Sequence, residues 1–138
     1  MTIHLKDACM GGFLLPFAGD AGFPLPLFDF RLPGVSSISA DCHKYGCSPK
    51  GASVLMFRTP EYRYLTGGPS EFHKIFRNKV IFKCVDWPGG IYATPTYAGS
   101  RAGGNIAVCW SVLNMIGREG YVQRTRRVIE DMLKLKES

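Results

Sequence analysis

Ser36-Ser37-Ile38-Ser39-Ala40-Asp41-Cys42-His43-Lys44-Tyr45-Gly46 ends a β-type run in a His-Lys pair, with Pro49 close behind. A second β-type run, Ser53–Arg58, follows the turn, and Val35–Ala40 precedes it. Lys44 is therefore expected at the end of a strand, held by a turn rather than displayed on a solvated helix. A lysine fixed in that way can be shielded from water, its pKa lowered enough for the amine to attack a carbonyl. Most lysines are solvated, so the pair takes its meaning from its neighbours.

Outward from this turn the chain alternates strands and loops before it becomes helical. Residues 3–7 (IHLKD) read as a strand ending at Asp7. Between Gly11 and Gly34, four prolines and several glycines forbid a long helix and leave room for one short helical turn. Ile106–Ile116 is apolar nearly all round, as in a buried helix, and Gly117 and Gly120 can close it and open another. Tyr121, Thr125, Val128, Met132 and Leu135 then mark one apolar stripe. The sum is an α/β domain without internal repeats.

A length of 138 residues suits one domain with a core. Hydrophobic residues at 46% and charged residues at 20% exclude a disordered chain. No apolar run reaches bilayer length, and no signal-peptide pattern is visible. Five scattered cysteines without a C-x-x-C fit a reducing, intracellular setting. The net charge of +6 is concentrated in residues 71–84, where Lys74, Arg77, Lys79 and Lys83 oppose Glu71. That stretch lacks a nucleic-acid recognition motif, so no nucleic-acid partner is expected.

Three short signals combine into chemistry. Asp7-Ala8-Cys9-Met10-Gly11-Gly12 places an acid before small residues. Asp41-Cys42-His43-Lys44 has Lys50 six residues on, and Gly99-Ser100-Arg101 offers a hydroxyl, a cation and backbone N–H groups. An acid, a lysine and an anion-binding loop are the parts a pyridoxal 5′-phosphate site needs: a tether for the aldehyde, a partner for the ring nitrogen and a phosphate cradle. Each residue also has a plainer reading. Asp7 can simply end a strand, His43 can be a satisfied core histidine, and Arg101 can cap a helix. Cys42, His43 and Cys47 lack zinc-site spacing, so no metal is expected. The Gly46-to-Gly51 spacing is no phosphate loop, because Ala52 stands where that motif needs lysine.

The blocks DACMGGFLLPF (7–17), PLPLFDFRLPGVSSISADCHKYGCSPKG (24–51) and DWPGGIYATPTYAGSR (86–101) resemble the sphingosine-1-phosphate lyase family. It belongs to the pyridoxal-phosphate-dependent decarboxylase-like group. The resemblance covers nearly the whole chain apart from the first residues and about 67–84. It implies a fragment of the large cofactor-binding domain of the aspartate-aminotransferase-type three-layer fold (pyridoxal-phosphate fold type I). Lys44 then matches the lysine that tethers the cofactor, and Asp7 the acid at the ring nitrogen. His43 and Ser100 match phosphate contacts, Ser100 from the neighbouring subunit of a homodimer, and Lys50 matches a supporting lysine near the site. The implied reaction is retro-aldol cleavage of a phosphorylated sphingoid base into a fatty aldehyde and phosphoethanolamine. The family implies the cytosolic face of the endoplasmic reticulum membrane for a full-length member, through an anchoring segment absent here, while this chain itself reads as soluble.

Several departures qualify the expectation. Residues 1–138 read as a partial large domain, without the upstream ring-stacking histidine and Gly-Thr loop, so the polypeptide alone is expected to bind the cofactor weakly or not at all. Residues 66–84 read as an insertion or a gene-model artefact, and 104–136 as helical. Lys6 interrupts a strand expected to be covered on both faces. Cys42 and Cys47 stand where a threonine and an aromatic are expected. An amino-acid decarboxylase of the same fold, sharing Asp7 and Lys44, and a non-catalytic remnant remain open.

Overall fold

The computed structural model describes residues 5–65, 82–84, 88–90, 92–94 and 99–138. Strand β1 (Leu5–Asp7) is followed by a 3-10 turn (Gly11–Phe13) and the short helix α1 (Leu15–Ala18). Strands β2 (Ser37–Asp41) and β3 (Ser53–Phe57) come next, then α2 (Pro60–Leu65), β4 (Phe82–Cys84), β5 (Tyr92–Thr94) and α3 (Gly103–Glu137). β1 lies parallel to β2, with Asp7 opposite Ser39, and β2 pairs antiparallel with β3, Asp41 opposite Ser53. β4 and β5 form a separate antiparallel pair.

The two-residue period of a strand divides β2 between two jobs. Ile38 and Ala40 are buried, Ile38 in a small core with Ala8, Val35 and Phe30. Gly12 lies against this face, where a Cβ would sit 2.5 Å from that of Ala40, so the chain can cross the strand only as glycine there. Ser37, Ser39 and Asp41 fall in the alternate set, which carries the polar chemistry. Arg58 ties the end of β3 to the loop before β2 by donating from Nε to the Val35 carbonyl at 2.8 Å and from its guanidinium to the Leu32 carbonyl.

Helix α3 is two helices in sequence. Gly117 adopts φ +61°, ψ 176° and breaks the helical path where the sequence predicts a boundary. After the break, Tyr121, Val122 and Thr125 are buried. The Tyr121 ring stacks on Phe17 of α1 at 5.2 Å, and Thr125 Oγ1 donates to the Leu14 carbonyl at 3.4 Å. Before the break, Ile106, Trp110 and Met115 are 63%, 67% and 79% exposed, so the expectation of a buried helix over 106–116 is wrong. Only one side of it is partly covered, with Cys109, Val112, Leu113 and Ile116 half-buried. The predicted stripe also fades along the second half: Val128 is half-buried, whereas Met132 and Leu135 are exposed.

Lys6 is exposed on β1, which has a strand neighbour on one side only among the described residues. Of the segment 66–84 read as an insertion or artefact, residues 66–81 lie outside the described residues. So do Asp86 and Trp87 of the third sequence block.

Candidate active site

Asp7 and Asp41 are the last residues of two parallel strands, so both carboxylates leave the same end of the sheet. That is the end where open α/β sheets bind their ligands. Asp7 Oδ1 accepts from the Cys9 backbone N–H at 2.9 Å and from Ser39 Oγ at 3.2 Å. The Cys9 N–H is the main reason its pKa lies below the usual 3.8, followed by the Cys9 thiol and the Ser39 hydroxyl; the charge of Lys44 adds to the effect.

The turn after Asp41 is closed by its own backbone. Lys44 N–H donates to the Asp41 carbonyl at 3.3 Å, Cys47 N–H to Lys44 at 3.0 Å and Ser48 N–H to Cys42 at 2.9 Å. Gly46 lies so close to the Cys42 carbonyl that any side chain would overlap it. Cys47 sits at φ +61°, an uncommon conformation for a residue with a Cβ. Tyr121 fixes the turn from the helix side, its hydroxyl donating to the Gly46 carbonyl at 2.8 Å.

Lys44 emerges from this turn with Nζ 2.9 Å from Asp41 Oδ2. Asp41 Oδ1 is meanwhile held by Ser53 Oγ at 2.6 Å, and that hydroxyl is the first cause of the low Asp41 pKa, ahead of Lys44. The pairing raises the Lys44 pKa above 10.5, with Asp41 the largest cause and the Cys9 thiol the next. The lowered lysine pKa expected from sequence is therefore corrected: the amine is half-buried, and a carboxylate beside it outweighs that partial desolvation. His43 Nδ1 donates to the Ala52 carbonyl at 2.8 Å, since that oxygen can only accept, and Nε2 lies 3.7 Å from Asp41 Oδ2.

The sequence of this chain is 49% identical to sphingosine-1-phosphate lyase 1 from Rattus norvegicus over 90% of the chain, and 39% identical to sphingosine-1-phosphate lyase from Saccharomyces cerevisiae over 99%. A solved sphingosine-1-phosphate lyase from Burkholderia pseudomallei superposes with a TM-score of 0.75 and 44% identity, covering 94% of this chain and 26% of that one. The chain belongs to the sphingosine-1-phosphate lyase family. It spans about a fifth of the length of the curated relatives it matches, 20% of the rat protein and 21% of the yeast one. No protein-family model matches the chain. Glutamate decarboxylase from Lactobacillus brevis aligns over 90% of the chain and 24% of its own with a TM-score of 0.61 and 27% identity. The fold is thus the aspartate-aminotransferase type.

Within this lyase-family segment, Asp7, His43 and Lys44 gather at one end of the sheet. Neither Lys50 nor Ser100 is hydrogen-bonded or ion-paired to any of these three among the described residues. Lys50 is exposed next to Gly51 and makes no side-chain hydrogen bond or ion pair among the described residues. Ser100 is exposed just before α3, its carbonyl accepting from Arg101 at 3.5 Å. The sequence reading missed Ser39 and Ser53 as the hydroxyls gripping the two carboxylates, and Asp41 as the direct partner of Lys44. Strand alternation was the available signal, because Ser37, Ser39 and Asp41 share one set of positions on β2.

Proposed function

We propose that this chain carries the lysine-bearing wall of a pyridoxal 5′-phosphate site, and that the protein cleaves the C2–C3 bond of a phosphorylated sphingoid base to a fatty aldehyde and phosphoethanolamine. One observation carries the reading: Lys44 is held by Asp41 and lies within charge reach of Asp7, at the carboxyl ends of parallel β1 and β2. When bound, the cofactor supplies an aldehyde that condenses with amines and a ring that accepts the electron pair of a breaking bond.

The donor set fits that group. Asp7 is held ionised by a backbone N–H and a hydroxyl, which suits it to face a protonated ring nitrogen. Asp41 keeps the Lys44 amine charged, so its carboxylate sets the pH at which Lys44 becomes a nucleophile. The Nδ1 bond to Ala52 fixes the His43 ring, and we assign His43 to the phosphate. Ser100 is assigned to the phosphate of a partner subunit's site in a homodimer. Lys50 is assigned a supporting role toward the substrate. A membrane anchor at the endoplasmic reticulum belongs to the full-length reading; among the described residues no helix is long and apolar enough to cross a membrane.

An amino-acid decarboxylase would use Asp7 and Lys44 in the same way. Identity of 44% to the solved lyase against 27% to the decarboxylase supports the lyase.

The test is reductive trapping. The full chain is incubated with pyridoxal 5′-phosphate, reduced with borohydride and mapped by peptide mass spectrometry. Weak binding suffices, because reduction makes the adduct permanent. The expected label falls on the Lys44 peptide ahead of Lys50 and the other lysines, and Lys44→Ala removes it without raising the rest. Even labelling of all lysines, unaltered in K44A, would overturn the assignment.

A further inference from the structure

Cys42 and Cys109 are distant in sequence and close in space. Cys42 follows Asp41, two positions before Lys44, and is only 1% exposed. Cys109 is half-buried on the first half of α3. Both line one cavity of about 410 Å³ between the β2–β3 hairpin and that helix, together with Ala52, Ser53, Arg101 and Trp110. Burial is the main reason Cys42 is pushed up to about 11, and the neighbouring Cys109 thiol adds to it. Neither thiol has a part in the site described above.

The two sides of this contact differ in freedom. The Cys42 backbone is fixed by the Ser48 N–H on its carbonyl and by the close approach of Gly46. The helix bearing Cys109 is largely exposed, and Gly117 interrupts it eight residues on with a backbone that is not helical. A small rotation of the 103–116 segment about Gly117 is therefore the adjustment open to the pair.

We propose that Cys42 and Cys109 form a reversible disulfide that fastens the first half of α3 to the turn carrying Lys44. The oxidant is a small disulfide such as glutathione disulfide. Cys109, the accessible thiol, attacks as thiolate, breaking the S–S bond and releasing one glutathione thiolate, which takes up a proton. Cys42 then gives up its proton and attacks the Cys109 sulfur, releasing the second glutathione. Two protein thiols are oxidised, one glutathione disulfide is reduced to two thiols, and protons balance. Cys42 is the slow partner, because a buried thiol of high pKa is rarely ionised. In a reducing compartment the bond would open again, which gives it the character of a sensor rather than a permanent staple.

The test treats the reduced full chain with glutathione disulfide, blocks the remaining thiols and maps the cross-linked peptides, with and without urea. The Cys42–Cys109 peptide is expected in native buffer, enriched about tenfold over the urea sample because folding holds the two thiols together. Cys109→Ser and Cys42→Thr should each abolish it. Oxidation should also raise Tm by roughly 10 °C in the parent chain and leave C42T unmoved. The C42T chain, threonine being similar in size, has a reduced-state Tm that checks its fold. Cross-links spread over the five cysteines alike in buffer and urea, or adducts confined to Cys9 and Cys47, would overturn the proposal.

Discussion

The turn at the end of β2 and the first half of α3 satisfy their side chains in opposite ways. Around Lys44, both carboxylates hold hydroxyl or amine partners, His43 is tied to Ala52, and the loop is closed by its own amides. On α3 before Gly117, Ile106, Trp110 and Met115 stand in solvent although their apolarity suits a core. The cluster draws its partners from residues 7–53, while the helix is covered only in part among the described residues, with Cys109, Val112, Leu113 and Ile116 half-buried. Local polar chemistry can be complete in a segment whose hydrophobic packing is not, because a hydrogen bond needs one neighbour and burial needs a whole shell.

The largest effect should come from the residue that anchors the turn to the packed half of α3, beyond Gly117. Tyr121 is 3% exposed, stacks on Phe17 and donates to the Gly46 carbonyl. Tyr121→Ala should cost about 3–5 kcal/mol in denaturant unfolding, the usual range for deleting a buried aromatic ring. That is a large share of the ~5–15 kcal/mol that holds a domain folded. Tyr121→Phe keeps the ring and loses only the hydrogen bond, about 1 kcal/mol. If the Ala variant proved no worse than the Phe variant, the ring would not be what anchors the turn.

How much of this was legible in the sequence follows from the same contrast. Strand ends, the hairpin flanking Lys44 and the break at Gly117 were readable, because period-two alternation and glycine placement are local signals. Lys44 and Asp7 were readable as a pair only through long matching blocks, since nothing within either motif says that residues 37 apart share one end of a sheet. Ser39 and Ser53 stayed hidden because serines are common in strands and turns alike. The burial of 106–116 was misread because apolarity reports what a helix prefers, not what is present to cover it. The lysine pKa was misread for a related reason: sequence shows that burial is available, but the carboxylate that reverses its effect is a matter of geometry.

The next effect is electrostatic and should appear in pH profiles more than in stability at neutrality. Asp7 and Asp41 have folded pKa values below 3.8, so their stabilisation is present above that value and disappears as pH falls through the depressed ones. Lys44 is raised, so its share is present below 10.5 and is lost as pH rises through the raised value. Asp41→Asn should weaken both limbs while changing neutral stability little, the groups being open to water. The same substitution removes what holds the Lys44 amine charged. At about pH 9, well below an ordinary lysine pKa, Lys44 in D41N should react several-fold faster with a neutral amine reagent. An unchanged Lys44 rate, read by peptide mapping, would mean that Asp41 does not control the amine.

The smallest effect belongs to the exposed helix, and its smallness is the sharpest check on the contrast. Trp110 is 67% exposed, so truncating it removes little that folding had buried. Trp110→Ala should change unfolding stability by less than about 0.5 kcal/mol, as for surface positions generally, and alanine also favours the helix. Its effect should fall instead on association, because an apolar face rimmed by polar residues is what sticks to other apolar surfaces. Light scattering should show less self-association in W110A at matched concentration, and a hydrophobic dye should bind it less. A stability loss near that of Tyr121→Ala would instead place Trp110 inside a packed interface. The two halves of α3 would then be equally buried, and the division at Gly117 would separate two parts of one core rather than a core from an open face.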